Sequence, residues 1–248
     1  MKKHFQVVLV VCISVLLASC AKEGPTGPTG PAGPTYTGDI DGHLDLYDQY
    51  GSRVLTGLDS AYISLNGAAP IIPNTAGYYI FTGVITGDYK MYVSATNYAA
   101  TVLDKFQYLT DTLHKDVKLS ALPNFSPSGF TIYPSVVAAG DSLVISFTPD
   151  TRARNCIVFF NNTPALSSLP GGYLLNYIKA IPANASSIVL QIPKQDITNT
   201  GIASGAMVYY AAYGYVVGDV SVYEDQTSGR NVYNAVSATA AIDSAVAP

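Results

Sequence analysis

Glycine falls at positions 51, 57, 67, 77 and 87, and the stretches between these glycines alternate apolar with polar residues, as in Lys90-Met91-Tyr92-Val93-Ser94. A period of two marks a strand with one face buried, and glycine supplies the turns that join such strands. No window carries the 3.6-residue period of an amphipathic helix. Strand formers are plentiful: there are 19 tyrosines, and only 12% of residues are charged. The chain is therefore expected to be all-β. Strands are predicted at 40–47, 61–66, 78–84, 88–95, 98–108 and 112–120.

A second strand-rich stretch follows a break. Pro123-Asn124-Phe125-Ser126-Pro127-Ser128-Gly129 holds two prolines, two serines and a glycine, which no regular element tolerates. It reads as a linker over 123–129. Beyond it, strands are predicted at 130–133, 142–147, 156–160, 173–180, 187–192, 207–217 and 220–223, with 231–235 closing. About seven short strands in such a length suggest a sandwich that resembles the immunoglobulin and fibronectin families, although the disulfide and tryptophan of antibody domains are missing. The small residues of 237–248 are expected to fray. The predicted architecture is two tandem β-sandwiches, at 38–122 and 130–248.

The amino terminus sets the compartment. Met1-Lys2-Lys3 precedes an apolar run over 5–18 and then Leu17-Ala18-Ser19-Cys20. That order of basic, apolar and small residues is a secretory signal. The run falls short of the roughly 20 apolar residues that a membrane span needs. With cysteine at the cut, it resembles a bacterial lipoprotein signal peptide over 1–19. The resemblance implies lipidation at Cys20, a membrane attachment through that lipid, and a place at the cell outer membrane, with surface display left open. Residues 20–37 would form the tether. Within them, 24–34 repeat glycine at every third position as collagen does. The triplets are too few to favour a triple helix, so a monomer is expected on an extended polyproline stretch of ~3.1 Å per residue, roughly 35 Å in all.

Gly77-x-Tyr79-x-Phe81-x-Gly83-Val84, followed by Gly87-x-Tyr89-x-Met91-x-Val93 and Tyr98, resembles the carboxypeptidase regulatory-like domain, a transthyretin-like sandwich. The run from Leu44 to Gly51, the strand at 61–65 and Asp116-Val117-Lys118-Leu119 match its other elements. Thr75-Ala76 stands where the family usually has an aspartate. The resemblance covers 38–122 and implies a non-catalytic module without a zinc site.

The net charge of −4 offers no basic patch for nucleic acid. His43 and His114 lie in different predicted strands without metal-ligand spacing, no Gly-x-Ser-x-Gly elbow occurs, and no cofactor is expected. Cys156 sits in the apolar run Cys156-Ile157-Val158-Phe159-Phe160 and reads as a buried thiol. Asp39, Asp41, Asp45 and Asp48 form the densest acidic cluster. Asp39-Ile40-Asp41-Gly42 resembles the opening of a calcium loop but lacks its later acids, so a solubilising strand edge is the preferred reading. Alternation in Val208–Tyr215 puts Tyr209, Tyr213 and Tyr215 on one face and Tyr210 on the other, which makes Tyr210 a candidate for ligand binding. Ser60, Thr112, Ser142 and Ser244 each follow an aspartate and precede an apolar residue. This resembles an O-glycosylation acceptor of some Gram-negative bacteria, and turns that start strands use the same pair. The expected role is a non-enzymatic, lipid-anchored envelope protein that binds or builds. Its partner would be a glycan or another envelope protein.

Overall fold

The computed structural model describes residues 36–109, 111–125, 127–135, 142–150, 152–237 and 242–248. The signal segment, Cys20 and the tether lie outside these residues.

The first sandwich is laid on one long strand. β1 (Thr37–Tyr47) turns Ile40, Leu44 and Leu46 inward, all essentially buried, and leaves Asp39, Asp41 and His43 on its outer face. It is followed by β2 (Arg53–Val54), β3 (Ala61–Leu65), β4 (Tyr78–Ile85), β5 (Gly87–Ala95), β6 (Thr101–Tyr108), β7 (Thr112–His114) and β8 (Val117–Ser120). β1 pairs antiparallel with β2 and β4 and parallel with β7 and β8. The facing sheet runs β3-β5-β6. The core between them holds Ile40, Ile63, Tyr79, Met91, Val93 and Leu119. The acids of β1 thus sit on a central strand and not on the expected edge. The stretch predicted as a single strand at 112–120 is broken at Lys115–Asp116. There the Lys115 carbonyl is pressed against Gly42 and accepts the Tyr79 hydroxyl. Only a residue without Cβ fits at Gly42. Gly77 turns with φ +84°, as expected of a turn glycine, but Gly87 does not have a positive φ. The chain there passes from one sheet to the other instead of forming a hairpin.

The second sandwich contains β9 (Ser128–Ser135), β10 (Ser142–Thr148), β11 (Asn155–Asn161), β12 (Leu175–Ala180), β13 (Ile188–Pro193), a helix α1 (Lys194–Asn199), β14 (Met207–Tyr215), β15 (Tyr223–Asp225), β16 (Arg230–Val232) and β17 (Asp243–Val246). One sheet is β13-β10-β9 and the other is β12-β11-β14-β17, with all pairs antiparallel. With the β15–β16 hairpin set aside, the first, second and fifth strands share one sheet, and the third, fourth, sixth and seventh share the other. This is an immunoglobulin-like or fibronectin-like sandwich.

Three expectations fail here for physical reasons. The six residues of α1 bury only Ile197, too few for a helical period to register. The small residues near the end do not fray: β17 pairs with β14, and Ala247 is buried. Residues 231–235 do not close the sheet, because β15 and β16 form a separate hairpin.

Tyr210 is the fourth correction. β11 and β14 are central strands, and both faces of their sheet are covered. On one face Cys156, Val158, Phe160 and Tyr210 meet the core against β10 and β13. On the other, Phe159, Tyr213 and Tyr215 pack under Leu166, Tyr173 and Tyr233. The alternation of the tyrosines was readable, but the exposure assigned to Tyr210 was not real; its ring is 0% exposed. Tyr210→Ala is expected to lower stability by about 3–5 kcal/mol, as for other large aromatic truncations in cores. Gly42→Ala should cost about 1–3 kcal/mol by overpacking against Lys115. Denaturant unfolding midpoints check both.

Candidate binding face

The outer face of the β3-β5-β6 sheet carries exposed rings among polar groups. In β3 and β5 the alternation is strict: Ile63, Met91 and Val93 point inward, while Tyr62, Lys90 and Tyr92 point outward. Tyr62 is 50% and Tyr92 47% exposed. Register places Tyr62 opposite Ser94 and Ser64 opposite Tyr92. The two rings are therefore diagonal neighbours, within reach of one another for aromatic side chains.

A third ring approaches from the second sandwich. The segments around the β15–β16 hairpin are fastened to the first sandwich by a buried polar seam. Ser120 N–H donates to Ser221 Oγ at 2.7 Å, and Val220 N–H to Ser120 Oγ at 3.1 Å. Thr101 Oγ1 donates to the Ser221 carbonyl at 3.2 Å, and Asn234 Nδ2 to the Ala100 carbonyl at 2.6 Å. Ala99, Val216 and Ala235 fill the space beside these bonds. Asn234 lies next to Tyr223. β15 lies against β6, the neighbour of β5. The Tyr223 phenol is shifted up chiefly by burial, and the carboxylates of Asp225 and Asp104 add to the shift, with Tyr92 within electrostatic range. Lys90 stands 3.8 Å from Asp104 on the same face. Tyr62, Tyr92 and Tyr223, with Lys90 and Asp104, thus form one aromatic and polar surface that draws on both sandwiches.

The segment 123–127 is tied down as well. Phe125 is buried against Gly214, and Asn124 N–H donates to Gln49 Oε1 at 3.1 Å.

The other candidates separate into distinct jobs. Cys156 is buried, and burial pushes its thiol up to about 12. Asp39 accepts from Gly83 N–H at 3.2 Å, Asp45 pairs with Arg53, and Asp48 caps a turn by accepting Tyr50 N–H and Ser52 N–H, both at 2.8 Å. Among the described residues no three His, Cys, Asp or Glu are grouped to hold a metal ion. Ser60 is exposed, Thr112 is exposed in β7, and Ser244 is half-buried in β17. Ser142 departs from the expectation for an acceptor. It is buried, and its Oγ accepts Gln191 Nε2 at 2.9 Å, so its hydroxyl is covered in the folded chain.

The structure joins two histidines that sequence spacing kept apart. Parallel pairing sets His114 opposite Asp41, and the ring centroids of His43 and His114 lie 6.5 Å apart. His114 Nδ1 is 2.9 Å from Asp41, and Nε2 is 3.0 Å from Asp116. Asp116 also accepts His43 N–H at 2.9 Å, and Tyr78 donates to Asp41 at 3.2 Å. Both ring nitrogens of His114 face carboxylates, so the geometry calls for the imidazolium.

No family model matches the chain, and no curated protein matches it. Solved structures that are similar to it include a "putative carbohydrate binding protein" from Bacteroides uniformis, 11% identical over 84% of this chain and 98% of that one, with a TM-score of 0.30. A DUF3823 family protein from Parabacteroides merdae is 15% identical over 73% and 91%, with a TM-score of 0.27. Another DUF3823 family protein, from Bacteroides ovatus, is 14% identical over 83% and 99%, also at 0.27.

The exposed tyrosines carried a sequence signal. Tyr62 and Tyr92 share the polar phase of their strands with Ser64, Lys90 and Ser94, which marks them as outward. Tyr223 carried none, because its place depends on the seam.

The pKa of His114 is raised above the usual 6.5, first by the hydrogen bond with Asp41; desolvation opposes this, and the charges of Asp116 and Asp41 add to it. A raised folded value stabilises fully below the unfolded value, and the gain disappears as pH rises through the folded one. The melting temperature of the protein should therefore exceed that of His114→Gln at pH 5, and the difference should vanish above the folded pKa. Thermal scans across pH check this, and NMR titration of His114 locates the transition.

Proposed function

We propose that this protein is a non-enzymatic lipoprotein of the bacterial outer membrane that captures glycans on the face formed by Tyr62, Tyr92 and Tyr223. The observation that carries the proposal is the exposure of Tyr62 and Tyr92 beside Ser64, Ser94 and Lys90 on the outward sides of β3 and β5. Sugar rings present apolar C–H faces edged by hydroxyls. A tyrosine offers a flat apolar surface with a polar tip, and the neighbouring serines, lysine and carboxylate offer hydrogen bonds at the rim. In this reading the first sandwich is a carboxypeptidase regulatory-like module, supported by the Gly77–Val93 pattern. That pattern spans β4 and β5 and buries Tyr79, Met91 and Val93. In the same reading Cys20 holds the lipid.

A second reading, a spacer or assembly partner, has its own observation. An open cleft of about 700 Å³ is lined by Leu65, Ile71, Ile80, Phe81, Ile85 and Tyr89. It lies beside β4, which among the described residues pairs only with β1. Unpaired apolar edges are where further chains add.

Two measurements test the proposal. Cys20→Ser should move the protein from the membrane fraction to the soluble fraction of cells. The soluble chain from residue 21 should bind selected members of a glycan array. Tyr92→Ala should weaken that binding about ten-fold, roughly 1.4 kcal/mol, while Tyr210→Phe leaves it unchanged. A blank array with folded protein would favour the spacer reading.

A further inference from the structure

We infer that the tyrosine face selects neutral, hydroxyl-rich glycans over anionic ones, and that the β15–β16 hairpin acts as a specificity wall supplied by the second sandwich. The inference rests on the glycan-capture reading and goes further by naming the ligand class and a further part of the site.

Charge decides the class. Lys90, with its side chain 56% exposed, is the cation next to the rings, and Asp104 stands 3.8 Å from it. Asp225, at the end of β15, is the second carboxylate. Its Oδ2 accepts Ser228 N–H at 2.8 Å and Ser228 Oγ–H at 2.7 Å, which fixes its direction. Those bonds are the main reason its carboxyl stays below the usual range, and Lys90 is near enough to contribute. Lys90 thus has Asp104 beside it and Asp225 within electrostatic range, so its ammonium faces two carboxylates. A uronate or sulfate arriving here meets like charge and a lysine already engaged. A neutral sugar meets acceptors for its hydroxyl protons and a donor for its oxygens. Carboxylate acceptors make the stronger, charge-assisted class of hydrogen bond.

Tyr223 gives the wall its rigidity. Two residues before it, Ser221 is bonded to Ser120 and Thr101, and the neighbouring Asn234 is anchored to the Ala100 carbonyl of the first sandwich. The ring is thus in place before any ligand arrives, which reduces the ordering cost of binding.

Calorimetric titration of the soluble chain separates the cases. The neutral probes are cellohexaose, maltohexaose, laminarihexaose and xylohexaose; the anionic probes are polygalacturonate and heparin. At least one neutral probe should bind, with little dependence on salt, and both anionic probes should bind at least ten-fold more weakly. Tyr223→Leu, which keeps apolar bulk, should weaken the neutral ligand several-fold. Lys90→Gln, at an exposed position, should weaken it without lowering the melting temperature. Tyr92-dependent binding of polygalacturonate or heparin in preference to the neutral probes would overturn the selectivity and leave glycan capture standing. Loss of binding in Tyr92→Ala but none in Tyr223→Leu would overturn the wall. No binding of any probe by folded protein would overturn both the inference and the reading beneath it.

Discussion

Four hydrogen bonds and three small apolar residues hold the two sandwiches in register. The bonds run between Ser120 and Ser221, between Val220 and Ser120, between Thr101 and Ser221, and between Asn234 and Ala100. Ser120 and Ser221 are fully buried, so each bond lost would leave a polar group without water, at a cost of about 1–3 kcal/mol. That asymmetry makes the seam specific: a slipped docking would strand several donors at once. Ala99, Val216 and Ala235 let the backbones approach closely enough for the bonds to form. The placement of Tyr223 beside Tyr92 follows from this seam, and so does any surface that uses both sandwiches.

Tyrosine has two roles in this chain, separated by where its hydroxyl ends. Inside, the ring fills core and the hydroxyl reaches the rim to tie down a loop. Tyr79 donates to the Lys115 carbonyl, Tyr108 to the Asp111 carbonyl at 3.2 Å, Tyr173 to the Asn231 carbonyl at 2.6 Å, and Tyr177 to Asp196. This explains how a chain with few charges and no tryptophan can fasten long connections. A phenylalanine in these places would bury similar area and release the loop. Outside, Tyr62 and Tyr92 stand on a strand face whose other members are polar. Interspersing rings with serine and lysine limits the contiguous apolar area, so the face stays soluble while keeping its stacking surfaces.

Much of the architecture was legible in local pattern. The strict alternation in Ala61–Leu65 and Gly87–Ala95 predicted strands and their inward faces, because the pleat leaves no other way to bury Ile63, Met91 and Val93 together. The continuous apolar run from Cys156 to Phe160 signals a strand covered on both faces, and the same logic extends to Tyr210, which faces Phe160 across the sheet. A period of two says which residues share a face; it does not say whether that face is covered. Coverage is decided by Leu166, Tyr173 and Tyr233 on one side and by the β10–β13 sheet on the other, all distant in sequence. The break at Lys115, the short helix α1 and the closing role of β17 were illegible for a related reason. Each is set by a tertiary partner, namely Gly42 with Tyr79, the core around Ile197, and the free edge of β14.

The Asp41–His114–Asp116 contact shows how register creates chemistry that spacing hides. In sequence, 73 residues separate Asp41 from His114, and neither neighbourhood has a motif. Parallel pairing of β7 with β1 sets them side by side, and the break at Lys115–Asp116 brings a second carboxylate to the far side of the ring. The break depends on Gly42, because only a residue without a side chain lets the Lys115 carbonyl fold onto β1. The same backbone compression therefore divides the strand, positions Asp116 and favours a protonated histidine on an otherwise acidic strand face. The second carboxylate beside His114 thus follows from a steric vacancy on the opposite face of β1.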